Sequence, residues 1–373
     1  MNSQGKVSIP LGLYVHVPFC AIPCSYCAFY KERPTKVLLE CYVDALCAEI
    51  RQINDTRCFD TIYFGGGTPG ILLPNYIDRI AEQIHDISAV APKEWTVEIA
   101  PNTVSQEKLA HWKSAGVNRI SMGVQSFNEA TLRTLGRKQT SREIFSAYQL
   151  IHESGFKNVG LDLIFGAPGQ TEAQLIDDLE QAIALNPEHI STYCLTYEDD
   201  TPLTVSLGDR SDECRDGNFY EIICDFLMHH GYKHYEISNF SKPGYASLHN
   251  LNTWRMCEWI GTGPSASSQY GEKRYTNVAN LQRWADGITN GAPDVSDEKT
   301  LNRSILDVDK IIFGLRMSEG VDLCDNLYKD TTLRFAKNWP EFFIISADRI
   351  KLTQRGQLIC DAISRELFNI IDE

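Results

Sequence analysis

The stretch YVHVPFCAIPCSYCAFY, residues 14–30, runs from a short β-rich segment directly into three cysteines, Cys20, Cys24 and Cys27, at gaps of three and then two residues. The thiols therefore sit in a loop at the carboxyl end of a strand. A loop this short can wrap three thiolates around one corner of a small inorganic centre. A closed structural zinc site takes four ligands and usually pairs of C-x-x-C, whereas the next slot here is Phe29. A cubane iron–sulfur cluster on three thiolates leaves one iron open to a chelating ligand. A zinc loop completed by a distant residue, or a set of inert thiols, also satisfies the spacing.

The architecture is set by the chain downstream of this loop. Short β-rich runs, LYVHV (13–17), TIYFGG (61–66), WTVEIA (95–100), RISMGV (119–124), VGLDLIF (159–165) and HISTYCL (189–195), alternate with helical periods at 36–53, 75–88, 105–115, 141–154, 172–184 and 213–230. Ser105 and Ser141 read as helix starts, and Gly116 and Gly155 as the matching stops. Six βα units of this kind predict an α/β fold with a parallel sheet and right-handed crossovers, doubly wound or curled into a barrel. In both, function gathers where the loops leave the carboxyl ends of the strands.

Three regions are expected. Residues 1–230 carry the βα units, 231–300 form an aromatic and glycine-rich connecting region, and 301–373 form a small helix–hairpin–helix domain. Hydrophobic residues make up 43% and charged residues 23% of the 373, with no apolar run long enough to span a membrane. Residues 1–10 lack the features of a secretory signal, so the chain reads as cytoplasmic, with its 12 cysteines reduced. A net charge of −14 and the lack of a basic tract argue against nucleic acid as a partner.

Further candidates stand at the ends of successive strands. Gly65, Gly66, Gly67 and Thr68 follow the second, where bare backbone can bind a small charged head group; the segment is neither a Walker motif nor G-x-G-x-x-G. Glu98 on the third strand could accept hydrogen bonds from ribose hydroxyls. Gln125 ends the fourth strand, Arg137 follows it, and Asp162 lies in the fifth. One polar side chain per strand end is how an α/β barrel assembles a site.

C-x-x-x-C-x-x-C after the first strand, with Tyr26 before the last cysteine and G-G-G-T-P after the second strand, resembles the radical S-adenosylmethionine superfamily. GLYVHVPFC, VQSF, LGR, LDLIFGAPGQT, YEISNF and HNLNTW are similar to its oxygen-independent coproporphyrinogen III oxidase-like group, and most to the haem chaperone branch of that group. The resemblance implies a partial six-stranded (β/α)6 barrel with a smaller carboxy-terminal α+β domain. It implies a [4Fe-4S] cluster on Cys20, Cys24 and Cys27, with S-adenosylmethionine (SAM) chelating the free iron. Tyr14 and Gly65–Thr68 would place the amino-acid moiety of SAM. Glu98, Gln125, Arg137 and Asp162 would contact ribose and carboxylate, and Tyr26 and Cys194 would lie near adenine. A reduced cluster would cleave the sulfonium to a 5′-deoxyadenosyl radical inside the barrel.

The implied partners are haem or porphyrin, haem-acceptor proteins and a reductant such as flavodoxin or ferredoxin. Phe29 stands where the decarboxylating enzymes carry a fourth cysteine, which favours the chaperone branch over coproporphyrinogen decarboxylation or modification of another substrate. His249, in HNLNTW, is the implied haem ligand, imidazole being a common axial donor. Gln139, Thr253 and Ser267 depart from the group, which commonly shows histidine, tyrosine and histidine at these places, and Ala100 replaces its asparagine.

Overall fold

The computed structural model describes residues 9–372; residues 1–8, part of the segment read for a leader, lie outside them. Six strands appear where the β-rich runs predicted them: β1 (Leu11–Val17), β2 (Thr61–Gly66), β3 (Glu94–Ile99), β4 (Arg119–Gln125), β5 (Val159–Phe165) and β6 (His189–Cys194). They pair in sequence order, all parallel. The helices between them cross over as the alternation required.

The sheet is longer than six strands. Residues 231–300 add β7 (Lys233–Glu236), β8 (Asn239–Ser241), β9 (Glu258–Thr262), β10 (Ser267–Tyr270), β11 (Lys273–Asn277) and β12 (Val295–Thr300). The full order is β12-β11-β10-β9-β1-β2-β3-β4-β5-β6-β8-β7, with β12 and β7 unpaired to each other, so the barrel stays open. β9 joins β1 in parallel, Tyr14 opposite Gly261, and β8 joins β6 antiparallel. These additions are three to six residues long and lack a sustained period-2 apolar pattern, which is why no strand stands out in the sequence there.

Strand periodicity divides the six parallel strands into two unlike faces. The outer face presents Leu11, Leu13, Val15, Ile62, Phe64, Trp95, Val97, Ile120, Met122, Val159 and Leu161, all buried in one core with the covering helices. Each such apolar side chain contributes about 1.5–3 kcal/mol by leaving water. The inner face presents Tyr14, His16, Tyr63, Thr96, Glu98, Arg119, Ser121, Asp162, His189, Ser191 and Tyr193, in register around the sheet. A barrel used only as scaffold packs this face with branched aliphatic residues. Here it is polar, and it encloses a cavity.

Local signals start and stop the helices. Ser105 caps Gln106–Ala115, and Gly116 ends it in the left-handed region at φ 103°. Thr140, not Ser141, caps Ser141–Glu153, forming a capping box with Glu143 that places Ser141 inside the first turn. Thr171 and Gln174 form a second box ahead of Glu172–Ala184.

Beyond the sheet, helices Arg303–Leu315, Lys329–Asn338 and Cys360–Asp372 pack with β13 (Val321–Asp322), β14 (Phe343–Ser346) and β15 (Arg349–Leu352). They share a core of their own around Ile311, Leu315, Phe335, Phe343 and Ile350. This carboxy-terminal unit joins the sheet at its β7 edge, where Ile237 N–H donates to Arg316 O at 3.0 Å and Ser318 N–H to Tyr235 O at 3.0 Å. Among the described residues no helix is long and apolar enough to cross a membrane.

Candidate functional site

The inner face bounds a cavity of about 690 Å³ that reaches from the cysteine loop at the carboxyl ends of the strands down to Ser247 and Asn250 at their amino ends. Cys20, Cys24 and Cys27 line its mouth as free thiols. Their loop is tied down from three directions. Cys20 N–H donates to Glu32 O at 3.0 Å, Ser25 N–H to Leu135 O at 3.2 Å, and Leu203 N–H to Ser25 O at 2.8 Å. Gly136, with φ 76°, allows the approach from the β4 side, since a Cβ there would lie 2.8 Å from Ser25 N. Lys31 Nζ donates to the carbonyls of Cys27 and Phe29, closing the loop with a cation.

The Gly65–Thr68 turn lies against this loop. Gly67 N–H donates to Val17 O at 2.8 Å and Thr68 N–H to Phe19 O at 2.9 Å. A Cβ on Gly67 would sit 2.7 Å from Phe19 O, so only glycine permits that contact. Gly66, at φ 103°, lies over the His16 ring, within 2.6 Å of where its Cβ would be. Gly66, Gly67 and Thr68 face the cavity, and Thr68 Oγ1 is 3.8 Å from Cys20 Sγ. Gly65 acts from behind: the place of its Cβ is 3.1 Å from Glu98 Oε1.

Glu98 accepts a 2.7 Å hydrogen bond from Tyr63 Oη, and burial, with Asp162 nearby, pushes its carboxyl up to about 7. Asp162 is raised as well, chiefly by burial, while Ser121 Oγ donates to both its oxygens at 3.1 Å. Gln125 occupies the left-handed region, φ 70°, at a register shift between β4 and β5. A non-glycine residue held there is strained, and such bulges re-aim side chains beside functional sites. Gly123 leaves the room: its Cβ would lie 3.0 Å from Gln125 Nε2 and 3.6 Å from Arg137 Nη2. Arg137 Nη1 donates to Gly123 O at 2.9 Å, while its Nε is buried without a partner.

Tyr26 and Cys194 also line the cavity, Tyr26 packed beside Leu135, Ile164 and Leu195. Besides Gly65, two residues singled out in the sequence lie off the wall. Tyr14 stacks on Tyr63 and its Oη meets His16 Nδ1 at 3.1 Å. His249 is 8% exposed; its ring stacks on Tyr63 at 5.1 Å, its Nδ1 meets Thr61 Oγ1 at 3.0 Å, and burial lowers it to about 4. Its helix, Leu248–Trp254, plugs the amino end of the barrel, with Glu94 accepting from Leu248 N–H and His249 N–H at 3.0 Å each. Of the departures, Gln139 lines the cavity and donates to Val124 O at 3.2 Å, while Ser267 faces outward in β10 and bonds Thr276 at 2.9 Å. The residues not singled out in the sequence, Tyr63, Arg119, Ser121, His189, Ser191, Tyr193 and Asn250, all line the cavity. Most occupy alternate strand positions, and polar alternation within otherwise apolar strands is the signal that marks them.

The donor set suits a polynuclear iron–sulfur group. Three free thiols share one opening, while among the described residues no three His, Cys, Asp or Glu side chains converge as a single ion requires. Beside them stand bare glycine backbone, an arginine with an unpartnered Nε and two carboxylates, the complement of an amino-acid head group and a ribose.

Comparison with known proteins agrees with this chemistry. Residues 14–182 match the family model described as the radical SAM superfamily. The haem chaperone HemW of Lactococcus lactis is 34% identical over 84% of this chain and 83% of its own length. That of Bacillus subtilis is 34% identical over 83% and 84%, and that of Escherichia coli 37% over 69% of each. The structure of the Escherichia coli coproporphyrinogen III oxidase HemN, a radical SAM enzyme, superposes with a TM-score of 0.83 over 96% of this chain and 90% of that one, at 23% identity, which speaks to fold alone. The polar barrel, the cysteine loop and relatives above 30% identity along most of the chain place this protein in the haem chaperone HemW family of the radical SAM superfamily.

Proposed function

We propose that this chain binds haem and delivers it to acceptor proteins, with a [4Fe-4S] cluster on Cys20, Cys24 and Cys27 and SAM in the adjoining part of the cavity. The radical SAM family implies both of these cofactors. When bound, they supply one-electron cleavage of a sulfonium C–S bond.

The chain's own residues then have defined tasks. The backbone of Gly66, Gly67 and Thr68 receives the amino-acid head group. Arg137, through its free Nε, and Gln125 hold its carboxylate, and Glu98 and Asp162 accept from the ribose hydroxyls. Tyr26 and Cys194 border the base. Gly65 and Tyr14 act behind the wall, one leaving room for Glu98 and the other holding Tyr63 and His16 in place.

Haem is assigned to the mouth. Ile22 and Phe29 are 51% and 68% exposed there, and Lys31 and Lys138 line the same cavity. An apolar planar ring bearing carboxylates fits that pairing of apolar and cationic side chains. His249 stands enclosed at the opposite, amino end of the barrel, so haem at the mouth is held without it, and it would meet the iron only in a state with the Leu248–Trp254 helix withdrawn from the floor. A cytoplasmic setting and a flavodoxin- or ferredoxin-type reductant complete the reading.

The observation that carries it is the meeting of three free thiols with Gly66–Thr68, Glu98, Gln125 and Arg137 on one cavity. The test measures 5′-deoxyadenosine release with haem, with coproporphyrinogen III and with neither, and haem transfer from loaded protein to apomyoglobin. Haem transfer without formation of protoporphyrinogen IX supports the reading. Turnover of coproporphyrinogen III replaces it with decarboxylation, and the lack of any Soret band on adding haem overturns it.

A further inference from the structure

The closed end of the cavity carries polar groups that the cofactor assignment leaves unused. Arg119, the first residue of β4, is 2% exposed and lines the cavity. Its Nη1 donates to Asn158 Oδ1 and Tyr245 O, both at 3.0 Å and both neutral, and no carboxylate pairs with it among the described residues. A buried guanidinium without a paired carboxylate is costly, and an anion brought to it recovers part of that cost.

His189 stands beside it on the first residue of β6 and is also 2% exposed. Its Nε2 meets Tyr235 Oη at 2.7 Å, and that phenol oxygen already accepts from Ser247 N–H at 3.3 Å. Nε2 is the one acceptor bonded to that phenol among the described residues, so the phenol proton goes to Nε2 and the ring proton resides on Nδ1. Burial, reinforced by Arg119, lowers the pKa of His189, so the ring is neutral near pH 7. Nδ1 is buried without a partner and lies 3.3 Å from the place a Gly160 Cβ would take. A methyl at 160 would therefore press on the ring edge that carries this unpartnered nitrogen.

Asn250, on the plugging helix, brings an amide to the same end. Two carboxylates flank this end: Asp162, one pair of residues nearer the mouth, held by Ser121 and within reach of the Arg119 charge, and Glu94 at the floor, which accepts from Ser247 Oγ, Leu248 N–H and His249 N–H. Both carboxylates are already engaged elsewhere, so charged and neutral donors converge on a space where, among the described residues, no carboxylate pairs with Arg119.

We infer that this floor, built on Arg119, His189 and Asn250, is a binding site for a small carboxylate, separate from the SAM half of the cavity and from the haem face at the mouth. Its occupant is a compact monoanion; a rigid macrocycle does not reach the floor past a filled cofactor half. The inference does not depend on haem binding.

The experiment uses anaerobically reconstituted protein saturated with SAM, so that the cofactor's own carboxylate site is filled, and reads saturation-transfer NMR with propionate as probe and propionamide as its neutral counterpart. Propionate is expected to bind and propionamide not. Arg119→Gln is expected to weaken propionate at least about tenfold, the scale of a charge-assisted hydrogen bond. Gly160→Ala, which crowds His189 Nδ1 and leaves the Arg119 bonds in place, is expected to weaken it too while the haem titration stays as in wild type. Equal binding of propionamide, loss of propionate when SAM is added, or unchanged propionate affinity in Gly160→Ala would overturn the inference, the last even where Arg119→Gln fails to fold.

Discussion

Tyr63 and Glu98, neighbours across the inner faces of β2 and β3, share a 2.7 Å hydrogen bond, and the carboxyl it steadies is raised to about 7. A carboxylate is the stronger acceptor, so SAM affinity is predicted to rise as pH climbs through about 7. Glu98→Gln keeps the Tyr63 bond but loses the charge. It should weaken SAM by about 1.5–3 kcal/mol and flatten that pH dependence, with iron content unchanged. Calorimetric titration of SAM between pH 6 and 8 is the check.

The contact between Gly67 and the backbone of Phe19 fixes how the glycine turn meets the cysteine loop. Gly67→Ala puts a methyl 2.7 Å from a carbonyl oxygen that cannot yield as a side chain could. We expect the loop to shift, iron retention after reconstitution to fall well below that of wild type, and stability to drop by about 1–3 kcal/mol. Chemical denaturation with iron analysis on the same samples measures both.

Glu49 joins the helix Lys36–Gln52 to the β9–β12 side of the sheet, accepting from Gly263 N–H at 2.7 Å, Asn277 Nδ2 at 2.8 Å and Trp284 Nε1 at 3.2 Å. Burial still pushes its carboxyl from 4.5 up to about 7. A folded-state value above the unfolded one gives stability that is complete below about 4.5 and lost as pH rises through about 7. His249, lowered to about 4, acts in the opposite sense, adding stability as pH rises toward 6.5. Glu49→Gln should therefore lower stability overall, because its amide meets the Gly263 N–H donor to donor. It should also remove a fall on the order of 3 kcal/mol between pH 5 and 8. Urea melts across that range read the slope.

His249→Phe preserves the stack on Tyr63 and removes the 3.0 Å bond to Thr61. With the helix seated, the variant should lose about 1–2 kcal/mol of stability and keep the wild-type Soret band on titration with haem. A vanished band in a folded variant would assign His249 to the iron and show that the helix leaves the barrel floor.

Much of the fold is legible in the sequence because its signals are local. Strand and helix periods, Ser105 with Gly116, and the three-cysteine loop each depend on residues near one another in the chain. Glu98, Gln125 and Arg137 stand out because each lies at or just past the end of a strand, Asp162 because it is a charge inside an apolar one, and the parallel register brings them to one cavity. The features that stay hidden depend on distant partners. The positive φ of Gln125 becomes visible only once β4 slips against β5. The plug at the barrel floor needs Glu94 to cap a helix 154 residues further along the chain. The histidine of the HNLNTW segment suggests a ligand when read alone, yet Thr61 and Tyr63, far upstream, enclose it. Arg119 and His189 escape notice because both open strands, where a polar residue usually marks only an edge, and the register turns both into the cavity.

Cys20, Cys24 and Cys27 are proposed to hold a four-iron centre with one corner left for SAM. The most direct measurement is low-temperature electron paramagnetic resonance of the dithionite-reduced, anaerobically reconstituted protein, with iron and sulfide counted on the same sample, before and after SAM is added. The expected result is about four irons per chain, a cluster signal that changes shape on adding SAM, and loss of both in Cys20→Ser, Cys24→Ser and Cys27→Ser. Wild-type iron in any one of these variants, or a signal indifferent to SAM, would contradict it.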